Sequence, residues 1–219
     1  MFGKVLVTPT LLDSFDFLKT CPISWKDSAM KDFIAKIRRE EIKYPAWVTK
    51  GQLFEQRVMK ESRKTPTQVI YEPHPECIHT MRVAELIAGG AFQQKIQKDL
   101  VIGNTKAFFF GKSDVEFPDL TIDIKTTANF RGSDAYLSKN QHIVYLWING
   151  KSDFKYVVAV WGSKEADNLI DVQEIDYHSP GSAVLEGMIK EKTVAMWDYI
   201  REIGLWRDYF FTFSKNTKK

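Results

Sequence analysis

From Leu100 to Val115, and again from Leu120 to Thr127, the chain is rich in β-branched and aromatic residues spaced in twos. That is the pattern of strands with one face in a core and the other in solvent. Pro118-Asp119 lies between them and suits a turn, because proline presets the backbone angle of the second turn position and aspartate is at home in the third. A hairpin in mid-chain obliges the flanking elements to cover its sheet. Upstream the apolar spacing is three and four. It predicts helices over Pro9–Leu18, over Lys26–Lys43 (Met30, Phe33, Ile34, Ile37), after a break at Tyr44-Pro45 over Thr49–Arg63 (Phe54, Val58), and over His79–Lys98. The last carries Val83, Leu86 and Ile87 as its stripe, with Gly89-Gly90 weakening its middle. Downstream, Ser138–Trp147 reads as a helix, Phe154–Trp161 as a buried strand and Val172–Tyr177 as another strand. A long helix over Pro180–Ile203 bears Val184, Met188, Val194, Trp197 and Ile200. Helices, a β-meander, a helix, strands and a closing helix predict an α/β or α+β sheet covered by helices.

The 219 residues contain no repeat, low-complexity block or linker, so a single domain over 1–219 is expected. At 44% hydrophobic and 13% aromatic the chain excludes disordered and collagen-like classes. Cys21 and Cys77 form no CxxC pair, and the first residues lack a signal peptide's apolar run, so a reducing, cytoplasmic setting is expected. No stretch approaches the roughly 18 apolar residues of a membrane span. The net charge of +3 permits nucleic-acid binding without establishing it. Lys36–Arg39 and Lys215–Lys219 read as solvated surface. His74, His79, His142 and His178 have no metal-ligand spacing, and Gln93, Gln94 and Gln97 read as the polar face of a helix.

The hairpin carries the chemistry. In a strand, Asp123 and Lys125 share one face while Ile122 and Ile124 point the other way. A turn at Pro118-Asp119 sets Asp114 opposite Asp123 and Lys112 opposite Lys125. Two carboxylates about 4.5–5.5 Å apart at Cβ repel each other unless a cation or a shared proton lies between them. Hard divalent cations take carboxylate and carbonyl oxygens and keep several waters, so two aspartates, a backbone carbonyl and one further carboxylate suffice. A bound cation of that kind supplies what phosphodiester hydrolysis needs, and Lys125 is placed to orient the attacking water.

Four pieces of the chain, in order, resemble the RecB-like branch of the PD-(D/E)XK nucleases, a group that includes phage exonucleases and CRISPR adaptation nucleases. Thr8 to Phe15 with Cys21-Pro22 resembles the family's opening helix. Gly51-Gln-Leu-Phe-Glu55 is similar to its next motif, in which a metal-binding residue follows a glycine by four positions. Gly111-Lys-Ser-Asp114 and Asp123-Ile-Lys125-Thr126 resemble its metal aspartate and its Asp-x-Lys-Thr signature, and Gln141 with Tyr145 matches a Gln-x-x-x-Tyr motif. The match spans roughly residues 8–147 and departs from many relatives in having Glu55 where they carry histidine.

The resemblance implies a restriction-endonuclease-like α/β core, a mixed central sheet flanked by helices with an N-terminal helical portion. It implies a catalytic set of Glu55, Asp114, Asp123 and Lys125, and Mg²⁺ (or Mn²⁺) held by Glu55, Asp114, Asp123 and the Ile124 carbonyl. Gln141, Tyr145, Lys112 and Lys139 would contact DNA. An iron–sulfur cluster is not expected, since the relatives that carry one use four cysteines and this chain has two. The implied activity is DNA hydrolysis, with an exonuclease of phage or prophage recombination as the specific expectation and a single-strand annealing recombinase as a partner. Processive enzymes of this kind can form rings, which leaves an oligomer open. The alternatives are a structure-specific endonuclease and a nuclease-fold DNA-binding or inhibitor protein that has lost catalysis.

Overall fold

The structure, a computed structural model, describes residues 4–41, 46–63, 75–163 and 168–210, with the backbone alone at 75–77. The Tyr44-Pro45 break, the Lys215–Lys219 tail, His74 and the Cys77 side chain lie outside the described residues. One six-stranded mixed sheet organises the chain. Strand β3 (Thr105–Glu116) is its pivot. Along one edge it pairs antiparallel with β2 (Ala91–Ile102) from end to end, except at Gln93 and Asp114. Its other edge is shared. Lys106 to Phe109 pair in parallel with β1 (Lys4–Val7), whereas Val115 and Glu116 pair antiparallel with Ile122 and Thr121 of β4 (Leu120–Thr127). The sheet continues through β5 (Asp153–Trp161), parallel to β4, and β6 (Leu169–His178), antiparallel to β5.

Alternation along β5 assigns the two faces. Phe154, Tyr156, Val158 and Val160 belong to one buried cluster, Val157 and Ala159 to the other. The first face is covered by α1 (Pro9–Thr20), α2 (Lys26–Arg38), α6 (Gln141–Asn149) and α7 (Ser182–Glu202), which contribute Leu12, Phe15, Phe33, Trp147 and Trp197. The second is covered by α3 (Ala46–Glu61) and α4 (Pro75–Leu86), whose Phe54, Val58 and Val83 pack on Ile122, Ile124 and Val172 together with Ile87, just past the end of α4. A short helix, α5 (Asp134–Leu137), precedes α6. The chain is thus of the α/β class, with a mixed central sheet flanked by helices.

Local signals explain several boundaries. The Thr8 hydroxyl accepts from the Leu11 amide at 3.2 Å and Pro9 opens α1, so a cap and a proline without an amide proton start that helix together. Gly150 ends α6 in a left-handed conformation, φ 68°, which costs glycine nothing.

Three expectations require correction. The helix expected over His79–Lys98 stops at Leu86, and residues 91–102 form β2. Phe92, Ile96 and Leu100 recur every fourth residue, a spacing that fits one helix stripe and one strand face equally well. The Gly103-Asn104 connection, with Gly103 at φ 57°, settles the choice by folding β2 back on β3 as a hairpin. The strand expected to begin at Leu100 is therefore two strands. β1 was not anticipated at all, being only Lys-Val-Leu-Val with Val5 and Val7 fully buried. In α7 the buried stripe is Leu185, Ile189, Thr193, Met196, Trp197 and Ile200, while Val184 and Val194 face outward.

Candidate active site

The fork in the sheet is where the polar residues gather. Between its pairing with β1 and its pairing with β4, the edge of β3 over residues 110–114 faces no strand. The register there is the one a turn at Pro118-Asp119 dictates, since Val115 lies opposite Ile122. The ladder nevertheless ends at that pair. Asp114 does not stand in a cross-strand pair with Asp123; its Oδ2 accepts the Ile124 backbone N–H at 2.8 Å. The side chain replaces the strand contact that the fork removes. Nor does Lys112 pair with Lys125: its strand partner is Lys95, on the other edge. A strand residue's N–H and C=O point to the same edge, so the Ile124 carbonyl faces the fork as well.

Helix α6 plugs the opening from the first face. A Cβ on Gly111 would stand 2.4 Å from Tyr145 Cε1, so the absence of a side chain there is what lets the ring lie against β3. The Tyr145 hydroxyl donates to the Lys112 carbonyl at 3.0 Å, satisfying a backbone group the fork leaves without a strand. One helical turn earlier, Gln141 donates to Asp123 Oδ1 and hydrogen-bonds Tyr145. Burial and the Asp123 charge push the Tyr145 phenol up to about 12, so it stays a neutral donor. Substituting Gly111→Ala is expected to displace this ring and cost about 1–3 kcal/mol, in line with other overpacked interiors. Thermal melts read the loss directly.

From the second face α3 delivers Glu55. A Cβ on Gly51 would come within 2.5 Å of Thr126 Oγ1, so α3 approaches β4 as closely as a glycine allows. Glu55, one turn further along the same side of the helix, then reaches the fork. Its carboxyl lies within hydrogen-bonding reach of Asp114.

Electrostatics follow from this crowding. Burial, then the neighbouring Asp123 charge, raise the Asp114 carboxyl well above its usual range, against the opposing pull of Lys125 and the Ile124 amide. Glu55 is raised for the same two reasons, partly offset by its hydrogen bonds. Lys125 is desolvated, which works against its charge, but Asp123 and Asp114 outweigh that and hold the ammonium above its ordinary range. Its Nζ lies 2.5 Å from the buried Asp123 Oδ2 and forms an ion pair with that carboxylate.

The structure thus brings Glu55, Asp114, Asp123, Lys125, Gln141 and Tyr145 to one place. The side chains of Lys112 and Lys139 are exposed nearby in sequence. Among the described residues no three acidic, histidine or cysteine side chains form a ready-made metal cage. Asp123 is turned to Gln141 and Lys125, and Glu55 to Asp114. The donor set still suits a magnesium-like ion, which keeps several waters and needs only one or two carboxylates directly. Glu55 and Asp114, both pushed toward protonation beside the Asp123 charge, form the kind of carboxyl crowding that a cation among them would relieve. His142 is buried beside the Tyr156 hydroxyl at 3.1 Å, and burial lowers its pKa to about 4, which keeps it a neutral core residue.

One residue at the fork was assigned elsewhere by the sequence pattern. Gln93, expected on a polar helix face, lies in β2 and donates to Glu55 Oε1, with Asp114 Oδ1 at 3.5 Å. Once Gly103-Asn104 is recognised as a hairpin turn, the register places Gln93 opposite Asp114, and that is the signal that could have found it.

No family model and no curated protein matches the chain. Several solved structures are similar to it. A phage-related exonuclease from Haemophilus somnus has a TM-score of 0.48 at 12% identity, covering 98% of this chain and 97% of that one. The alkaline exonuclease LHK-Exo from Laribacter hongkongensis, in complex with dAMP, has a TM-score of 0.48 at 14% identity, covering 97% and 93% respectively.

Proposed function

We propose that the chain is a divalent-cation-dependent deoxyribonuclease with a restriction-endonuclease-like core. The observation that carries this reading is the meeting of Glu55 and Asp114 with the Asp123–Lys125 pair at the fork between β3 and β4. Glu55, Asp114, Asp123 and the Ile124 carbonyl would hold Mg²⁺ or Mn²⁺, and such an ion supplies Lewis acidity toward the phosphate and an acidified water.

The protein's own groups do the rest. Lys125, held charged by its carboxylate neighbours, stabilises negative charge developing on the phosphate and orients the water. Gln141 fixes the rotamer of Asp123, and Tyr145 holds the β3 edge in place behind it. Lys112 and Lys139 are assigned to phosphate contacts, which position DNA without reading its sequence. The biological reading is an exonuclease of phage or prophage recombination acting in the cytoplasm, with DNA as substrate and a single-strand annealing recombinase as partner.

A cleavage assay on end-labelled duplex and single-stranded DNA tests the reading. Mg²⁺ or Mn²⁺ should support hydrolysis and EDTA should stop it. Ca²⁺ should support binding but not cleavage, because its larger, looser shell positions water poorly. Robust cleavage in excess chelator sinks the proposal.

A further inference from the structure

Gln93 is the side chain at the fork that no motif foreshadows, and its backbone is as unusual as its place. Its φ is 56°, the left-handed region, which crowds any residue that carries a Cβ. Arg39, the other described non-glycine residue with positive φ, closes helix α2, where such a conformation is common. Gln93 instead lies inside a strand. The ladder gives no local reason for it: Phe92 opposite Val115 and Gln94 opposite Ser113 keep one register, so no residue is inserted. The ladder simply omits Gln93 and Asp114, which face each other across the gap. Strain of this kind persists where the surroundings impose it, and it concentrates at functional sites. Its effect here is to aim the carboxamide between Glu55 and Asp114, with Met59 Sδ 3.9 Å from the amide nitrogen.

An ion held by Glu55 and Asp114 would have this carboxamide beside it. The amide has two ends of nearly equal size, one a double donor and one an acceptor, on a terminal torsion with broad twofold preference. Two carboxylates demand the donor end, whereas a hard cation demands the carbonyl, a ligand such ions accept from glutamine. A neutral ligand also adds an oxygen without adding a further charge to a crowd of carboxylates that already repel one another.

We propose that Gln93 is an additional ligand of the cation site. Its NH₂ group bridges Glu55 and Asp114 when no cation is present, and the amide turns over to present Oε1 when one binds. This rests on reading the fork as a divalent-cation site.

Calorimetric titration of the whole chain with Mn²⁺, without DNA, provides the test. Gln93→Gly removes the amide and relieves the backbone. Gln93→Met keeps the bulk and the strain but offers no oxygen. Both should bind Mn²⁺ about tenfold more weakly or worse, a loss of the size that follows removal of groups around a metal site. Gln93→Glu, which keeps an oxygen at the same reach, should bind at least as tightly as the wild type. Unchanged or tighter binding by Gln93→Gly and Gln93→Met would show that the amide only fills the space, and the inference falls. Should the glycine variant fail to fold by circular dichroism, the methionine variant decides. Absence of Mn²⁺ binding by the wild-type chain would overturn the site reading itself and this inference with it, whereas binding that ignores Gln93 overturns the inference alone.

Discussion

Asp114→Asn is expected to abolish DNA cleavage while raising the melting temperature of the metal-free protein. The side chain keeps an oxygen for the Ile124 amide, so the 2.8 Å contact that closes the strand fork survives. What disappears is a carboxylate that burial and Asp123 hold well above its usual range. A carboxyl whose folded pKa is raised contributes stability that is fully present below its unfolded pKa, near about 3.9 for aspartate, and that is lost as pH rises through the folded pKa. The metal-free wild type should therefore lose stability relative to the variant as pH climbs out of the acid range toward neutrality and beyond. At pH 4 the two should melt together, and at pH 8 the variant should melt higher. Each 1 kcal/mol corresponds to roughly 2–4 °C at this chain length, so the gap is readable by calorimetry. Excess Mg²⁺ should reverse the order by stabilising only the wild type. A steep fall in melting temperature for Asp114→Asn at pH 8 without metal would mark Asp114 as a structural residue.

Lys125→Ala separates chemistry from binding. If Lys125 orients water and stabilises developing charge, its loss should cost about 10² or more in turnover at saturating DNA, the size seen when electrostatic stabilisers are removed. DNA affinity measured in Ca²⁺ should change little. A lysine that serves only as a phosphate contact gives the opposite pattern: weaker binding, a salt slope lowered by about one unit, and turnover preserved at saturation. Because Asp123 is 1% exposed and loses its ion-pair partner in this variant, the comparison belongs in Mg²⁺, with the folded fraction checked by melting. Wild-type turnover at saturating DNA would end the catalytic assignment.

Much of this arrangement was legible in the chain because its signals are short in range. Asp123 and Lys125 share a strand face by parity alone, and the Pro118-Asp119 turn sets the register seen at Val115 and Ile122. Where the ladder would stop was not legible. That depends on β1 taking the near end of the same β3 edge and on Tyr145 entering beside Gly111, contacts between segments far apart in sequence. β2 was hidden for a different reason. Its apolar residues fall at every fourth position, which carries no distinction between a helix stripe and a strand face, and a Gly-Gly pair such as Gly89-Gly90 weakens a helix interior in the same way that it follows a helix end. The place of Gln93 at the site depends on that distinction, because only as part of a strand does it come opposite Asp114.

The bond from the Ile124 amide to Asp114 also makes the fork observable in solution without any added label. Amide protons in the middle of a sheet ordinarily point at peptide carbonyls, whose charge does not change with pH or with ions. This one points at a titrating group. Its proton chemical shift should follow the ionisation of one side chain, and its exchange with deuterium should slow when a cation locks that carboxylate in place. In a protein with a hundred or more ordinary amide resonances, a single cross-peak would then record the occupancy of the fork, separately from folding and from catalysis.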